Sequence, residues 1–237
     1  MRGRTFGNGT KNIVFLHGWG GDASAFLFCA RELAAEYRCS VVDFSGFGGT
    51  EEPARPYGVG DYADEILAYM DTSDIEEAVL VGHSFGGRVA LEIAAKHPER
   101  AIALALVDSA GLRPKRRFSY YAKVLIHKIL RKLGLRGLGG SKDYRELSPL
   151  MKETFKLTVN YDQTYLLKDI VCPTAVFWGK DDEDTPPYMA RIFAKGIKDS
   201  HVFWLNGGHF AYLQDSAKFT AVLTAFVKGI YGGGKRG

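Results

Sequence analysis

Residues 82–87 read Gly-His-Ser-Phe-Gly-Gly, directly after the apolar run Ala78-Val79-Leu80-Val81 and before a stretch, Arg88 to Lys96, with helical apolar spacing. A serine between glycines at such a junction has two readings. It is plain turn chemistry, or it is a G-x-S-x-G turn in which the glycines spare a strained backbone from clashes while the hydroxyl projects at the sheet's carboxyl edge. The second reading makes demands elsewhere. Serine is a weak nucleophile at its own pKa, so a base, an acid and oxyanion donors must exist.

Short apolar runs recur at intervals long enough for an intervening helix: Ile13 to Leu16, Ser40 to Phe44, Val79 to Val81, Leu104 to Val107, Thr174 to Trp178 and Val202 to Leu205. Runs without polar alternation suit strands covered on both faces. Between them, helical patterns cover Ala25 to Tyr37, Val59 to Asp71, Phe85 to Lys96, Pro187 to Lys195 and Ala217 to Ile230. This alternation predicts an α/β fold, a mainly parallel, doubly wound sheet that meets ligands at the carboxyl ends of its strands.

The alternation breaks after Asp108. From Gly111 to about Leu167 no strand is evident, and Phe118, Ala122, Leu125, Ile129 and Leu133 follow helical spacing. The expected organisation is a core of residues 1–110 and 168–237 with a helical cap inserted at 111–167, too long for a structureless loop. Four glycines between Gly134 and Ser141 read as a joint within the cap, and the Gly232–Gly237 tail reads as disordered.

Composition narrows the function classes. In 237 residues, 46% hydrophobic and 24% charged, no apolar stretch approaches the ~18 residues that span a bilayer. The opening Met-Arg-Gly-Arg-Thr-Phe-Gly carries no apolar segment of the secretory kind. Cys29, Cys39 and Cys172 form an odd set without metal-type pairing, as expected of buried thiols in the cytoplasm. The net charge of +4 hides an imbalance: Arg113 to Arg145 holds eleven Lys/Arg against one acid, Asp143. This reads first as a solvated helix face, with anionic substrates or an anionic membrane surface as its other readings. No interleaved groove or recognition motif supports nucleic-acid binding. Oligomeric state is not legible.

Of six histidines, His209 alone lies in a glycine-rich loop, Asn206-Gly207-Gly208-His209-Phe210, after the last strand, and it is the candidate base. His83 points away from Ser84 and reads as packing, His17 as an organiser of its loop, and His97 as a cation at a helix C-terminus. His127 falls on the cap helix, and His201 opens a strand. The acid is expected between nucleophile and base, where Lys180-Asp181-Asp182-Glu183-Asp184 offers several carboxylates, with Asp108 as a further alternate. Oxyanion donors are expected at the backbone N–H of Phe85, after the nucleophile, and of Trp19, in the glycine-rich end of Ile13-Val14-Phe15-Leu16-His17-Gly18-Trp19-Gly20-Gly21. Tyr120, Tyr121, Phe155, Tyr161 and Tyr165 are candidates for an apolar pocket or for packing of the cap.

Taken in order, Leu-His-Gly-Trp-Gly-Gly (16–21), Val42-Asp43 with Gly46-Phe47-Gly48, Gly-His-Ser-Phe-Gly-Gly (82–87), His97-Pro98-Glu99-Arg100, Leu106-Val107-Asp108, Cys172-Pro173-Thr174 with Trp178-Gly179, and Gly208-His209 resemble successive signatures of the α/β-hydrolase superfamily. The resemblance spans residues 13 to about 227, with the cap matching least. It implies an α/β-hydrolase fold, selects Asp182 by its spacing from Gly179 and Pro186, and implies a Ser84-His209-Asp182 triad with an oxyanion hole at Trp19 and Phe85. The implied enzyme cleaves carboxylic esters of small or medium acyl groups, as small carboxylesterases do, and needs no metal or organic cofactor. Thioesterase, acyltransferase, lipase and carbon-carbon bond hydrolase activities share the same triad, and a non-catalytic ligand receptor is the reading from another class. Two departures stand out. Only twelve residues precede Ile13, so the antiparallel strands that usually open this fold read as shortened or missing, and Ser45-Gly46 replaces a common Pro-Gly.

Overall fold

A computed structural model of the chain describes residues 1–113 and 146–233. The expected cap helix over 118–133, the glycine joint at 134–141, Tyr120, Tyr121, His127 and the end of the C-terminal tail lie outside the described residues.

Seven strands form one sheet: β1 (Arg2–Phe6), β2 (Asn12–Leu16), β3 (Arg38–Asp43), β4 (Ala78–His83), β5 (Ala101–Val107), β6 (Thr174–Gly179) and β7 (Ser200–Leu205), in the order β1-β3-β2-β4-β5-β6-β7. All neighbours from β3 to β7 are parallel, and β1 alone runs antiparallel, pairing Arg2 with Asp43 through Phe6 with Cys39. Of the antiparallel opening strands expected to be shortened or missing, one short strand is present, β1. Arg-Gly-Arg-Thr-Phe is polar and largely exposed, as a charged edge strand can be, so it lacks the pattern of a buried strand.

The absence of polar alternation in the inner strands follows from helices on both faces. Val14, Leu16, Leu80, Leu104, Leu106, Val176 and Trp178 face one core with helices α2 (Val59–Thr72), α3 (Phe85–Lys96) and α5 (Tyr188–Gly196). Their alternates, Ile13, Phe15, Val79, Val81, Ala105 and Phe177, face the other core with α1 (Leu27–Leu33) and α6 (Ser216–Gly232). At the start of the expected α1 the chain instead makes a 3-10 turn, Ala23–Phe26, capped by Asp22, whose carboxylate accepts from the Ser24 N–H. Within the inserted region, Ser148 caps α4 (Pro149–Val159) by accepting from the Met151 N–H at 3.1 Å, and Pro149 opens the helix. The Thr154 hydroxyl accepts from the Tyr57 N–H at 3.1 Å, which ties α4 to the core.

Strand β4 lies centrally, so its carboxyl end is packed on both sides. The α3 helix crosses so close to β2 that a Cβ on Gly86 would be driven into the Leu16 carbonyl and lie 2.7 Å from that of His17. No flexible side chain can yield there, since both obstacles are backbone. Gly86→Ala is expected to destabilise the protein by about 3 kcal/mol in urea unfolding; a change within about 0.5 kcal/mol, the range of neutral surface substitutions, would show that the helix can slide.

Candidate active site

Ser84 occupies the turn between β4 and α3 at φ +48°, ψ −106°, a left-handed backbone rarely adopted by a residue with a side chain. The turn is tied at both ends: the Ser84 N–H donates to the Val107 carbonyl at 3.0 Å, and the Ser84 carbonyl accepts from the Gly87, Arg88 and Ala110 N–H groups. A Cβ on Gly82 would stand 2.5 Å from the Gly86 carbonyl, so the strand and the helix can meet this tightly only without one.

The loop after β7 brings His209 to the serine. Its Nε2 lies 2.9 Å from Ser84 Oγ, and its Nδ1 lies 2.9 Å from Asp182 Oδ2. The Nδ1–H donates to the carboxylate, which leaves Nε2 as acceptor for the serine hydroxyl. Asp182, on the loop after β6, is 2% exposed. Its Oδ1 accepts from the Asp184 and Thr185 N–H groups at 2.8 and 2.9 Å, and Oδ2 also accepts from the Thr185 hydroxyl at 2.6 Å. Burial alone would raise its pKa, yet the bonds from His209 and Thr185 outweigh it and hold the carboxyl below the usual range.

Two further imidazoles surround the site. His17 accepts from the Phe44 N–H through Nε2 at 3.3 Å and donates from Nδ1 to the Gly18 carbonyl at 2.7 Å, the loop-organising role expected of it. His83 packs as expected, and its Nε2–H donates to the His209 carbonyl at 2.8 Å, a latch on the loop that the sequence did not reveal. Burial pulls the pKa of His83 down to about 3 and that of His17 below its ordinary value, so both are neutral.

The expected oxyanion donors flank Ser84. Neither the Trp19 nor the Phe85 N–H has a hydrogen-bond partner among the described residues. The first belongs to the loop after β2, where a Cβ on Gly18 would lie 3.5 Å from that of Ser84; the second opens α3, where the helix dipole favours negative charge. The Trp19 and Phe85 rings pack edge to face at 5.4 Å.

A cavity of about 940 Å³ opens on Ser84 and His209, with Trp19, Phe85, Phe155 and Val159 in its wall. Phe155 thus lines the cavity as one of the expected aromatic residues. Tyr161 and Tyr165 are not among the lining residues and instead share a 2.7 Å hydrogen bond, with Tyr165 exposed. Asp182, Asp184 and His209 bring three metal-type ligand atoms within 4.8 Å of one another, but the first and last are committed to each other.

Asp108, the alternate acid, is fully buried at φ +42° and does not contact His209. Its Oδ1 accepts from the Gly179 N–H at 2.7 Å, and its carbonyl lies 3.1 Å from the Thr185 hydroxyl. Thr185, which joins Asp108 to Asp182, was missed from sequence; an aspartate three residues ahead of a threonine is its one local signal.

Residues 13–222 match the alpha/beta hydrolase family. The chain belongs to this family. It is 28% identical to a pimeloyl-[acyl-carrier protein] methyl ester esterase of Neisseria meningitidis over 93% of this chain and 94% of that protein. It is 39% identical to the dihydrolipoyllysine-residue acetyltransferase component of an acetoin cleaving system of Pseudomonas putida, but there the match spans 45% of this chain and only 29% of that protein. The fold is that of an enol-lactonase from Burkholderia xenovorans LB400, with a TM-score of 0.77 at 20% identity over 96% of each chain. This α/β hydrolase is therefore an enzyme with esterase-type relatives. No described helix is long and apolar enough to cross a membrane.

Burial, with the nearby Asp182 charge, pushes the Asp108 carboxyl up to about 8 from an ordinary 3.8. The unfolded chain releases that proton near pH 4 and the folded one near pH 8. Stability should therefore fall as pH rises between those values and level off above. Asp108→Asn has no proton to release, so its unfolding free energy relative to the parent should climb from pH 5 to pH 8. Urea denaturation at pH 5, 7 and 9 measures this, and a difference independent of pH would contradict it.

Proposed function

We propose that the protein is a serine esterase that hydrolyses carboxylic esters of small or medium acyl groups, with Ser84 as nucleophile, His209 as base and Asp182 as orienting acid. The observation that carries this reading is the pair of 2.9 Å contacts that runs from the Ser84 hydroxyl through the His209 ring to Asp182 at the cavity floor. In the first half-reaction His209 Nε2 takes the Ser84 proton as Oγ bonds to the ester carbonyl carbon, and the carbonyl oxygen becomes an oxyanion facing the Trp19 and Phe85 N–H groups. The C–O bond then breaks, and His209 returns the proton to the leaving alcohol. Water attacks the acyl-enzyme with His209 again as base, releasing the acid and restoring the serine.

Esters are favoured over other acyl compounds because the relative matched along nearly its whole length is named for a methyl ester. In the same proposal residues 111–167 act as a cap, since Phe155 and Val159 of α4 stand in the cavity wall. The enzyme would work in the cytoplasm, where three buried free thiols, Cys29, Cys39 and Cys172, persist unoxidised.

Hydrolysis of p-nitrophenyl esters from acetate to octanoate, alongside labelling by a fluorophosphonate, tests the reading. Ser84→Ala should abolish labelling and lower kcat by about 10⁵-fold or more without changing the melting temperature beyond a few degrees. Asp182→Asn should keep labelling slow but measurable and lower kcat by about 10⁴-fold. Turnover by Ser84→Ala close to that of the parent would remove the mechanism.

A further inference from the structure

Arg88 stands on α3 four residues after Ser84, on the same helix face and about 6 Å further along the axis. It is 6% exposed, yet it borders the cavity into which Ser84 and His209 open. A guanidinium carries five N–H donors. Nη1 donates to the Tyr161 carbonyl at 2.6 Å and Nη2 to the Val159 carbonyl at 3.4 Å, beyond the C-terminal end of α4. The remaining three have no acceptor among the described residues.

Its charge has no paired carboxylate among the described residues. No carboxylate among the described residues lies within 4.0 Å of the guanidinium, although a buried cation ordinarily has a counter-ion. Glu92, one turn on, is engaged by Lys96 at 2.5 Å and by the Gln163 amide at 3.0 Å. Asp162 acts on Arg88 only through space, and its Oδ1 accepts from the Thr164 N–H and hydroxyl. Burial lowers the pKa of Arg88 to about 10, which still leaves it charged at neutral pH.

Fastening the inserted region to the core does not by itself account for this arrangement. Glu92 already does that work on the same segment, through Gln163 and the Tyr161 hydroxyl. What Arg88 adds is a planar cation with spare donors in a lining that mixes Trp19, Phe155 and Val159 with the carboxylates of Glu146 and Asp184, neither of which pairs with it; such a cation can receive a substrate carboxylate through two parallel hydrogen bonds.

We propose that Arg88 forms a carboxylate subsite, so that the preferred substrates of Ser84 are short esters carrying a carboxylate a few bonds from the scissile carbonyl, of the half-ester type derived from dicarboxylic acids. This rests on the reading of Ser84 as the esterase nucleophile. A spacer of two or three methylenes spans about the one helical turn that separates the two side chains. The carboxylate supplies a counter-charge, and the burial of Arg88 raises the strength of the pair by limiting water around it.

The test compares monomethyl glutarate with methyl valerate, which carries a methyl group where the first has its carboxylate, by pH-stat titration. The parent enzyme should favour the charged ester in kcat/KM. In Arg88→Gln the ratio of the two kcat/KM values, charged over neutral, should fall by about 30-fold or more, mainly through KM. Arg88→Lys, which keeps the charge without the fork, should fall between the two and remains informative if the glutamine variant does not fold. A ratio at or below one in the parent, or unchanged in both variants, overturns the proposal and leaves Arg88 as a fastener of the inserted region. Calorimetric titration of glutarate into Ser84→Ala separates the two readings. Binding that Arg88→Gln abolishes in that background is the expected result, and no binding, or binding that survives the substitution, overturns the proposal. The esterase reading fails on its own terms if the parent hydrolyses neither ester and takes no fluorophosphonate at Ser84.

Discussion

Ser84 sits at φ +48°, a backbone that costs a residue with a side chain on the order of 1–3 kcal/mol, and the molecule holds it there with four backbone hydrogen bonds. One joins it to β5 through Val107; the others bind its carbonyl to Gly87, Arg88 and Ala110. The strain is sustained because β4 is inside the sheet, between β2 and β5, and cannot relax without breaking register on both sides. From that point the rest follows. The sharp turn sends α3 back across β2, which brings the first N–H of α3 and the loop after β2 to the same side of the serine oxygen. A relaxed turn would carry the hydroxyl, the Phe85 N–H and Arg88 away together.

Charge near the hydroxyl is kept to one buried anion. Two aspartates lie close together behind His209, and both are buried. Asp182 accepts bonds from two backbone N–H groups, a hydroxyl and an imidazole, and remains ionised. Asp108 receives one N–H bond, from Gly179, and its Oδ2 has no partner. Deeper burial of Asp108 and the fuller hydrogen bonding of Asp182 together decide which carboxyl carries the charge, because like charges so near cannot both ionise cheaply. Thr185 sits between them with its hydroxyl 2.6 Å from the ionised partner and 3.1 Å from the carbonyl of the other, so it supports the charged one.

Much of this was legible in the sequence because the pattern needed was local. The inner strands read correctly since continuous apolar runs are what a two-sided core requires, and Val14 with Leu16 and Ile13 with Phe15 divide between the two cores as that reasoning demands. The serine stood out because glycine marks close backbone approach at Gly82 and Gly86, and the histidine because it follows two glycines after the last strand. Asp182 could be chosen only by resemblance; four carboxylates in five residues are equivalent until the chain folds and Thr185 closes on one of them. Edge strand β1 was left open between shortened and missing because an exposed strand is under no demand for apolar residues. Arg88 escaped for a different reason. An arginine in an amphipathic helix reads as solvated, so its burial is a tertiary fact with no local signature; Asp108 was named as an alternate acid, but its full burial was equally hidden.

The three imidazoles near the site are sorted by the same physics. In the proposed mechanism His209 becomes a cation beside Ser84, and a second cation close by would oppose it. The His83 ring lies 4.9 Å from the His209 ring, near enough for such a penalty to be severe. Complete burial keeps His83 neutral, and its one N–H is aimed at the His209 carbonyl, so it constrains the loop without contributing charge. His17 is neutral by the same means and holds the loop that carries the Trp19 N–H. Only His209 keeps side-chain exposure, 13%, and only it is paired with an ionised carboxylate. Two imidazoles therefore serve as fixed dipoles that shape the loops, while the third alone joins the serine hydroxyl to the carboxylate. The residue type is the same in all three, and desolvation assigns the work.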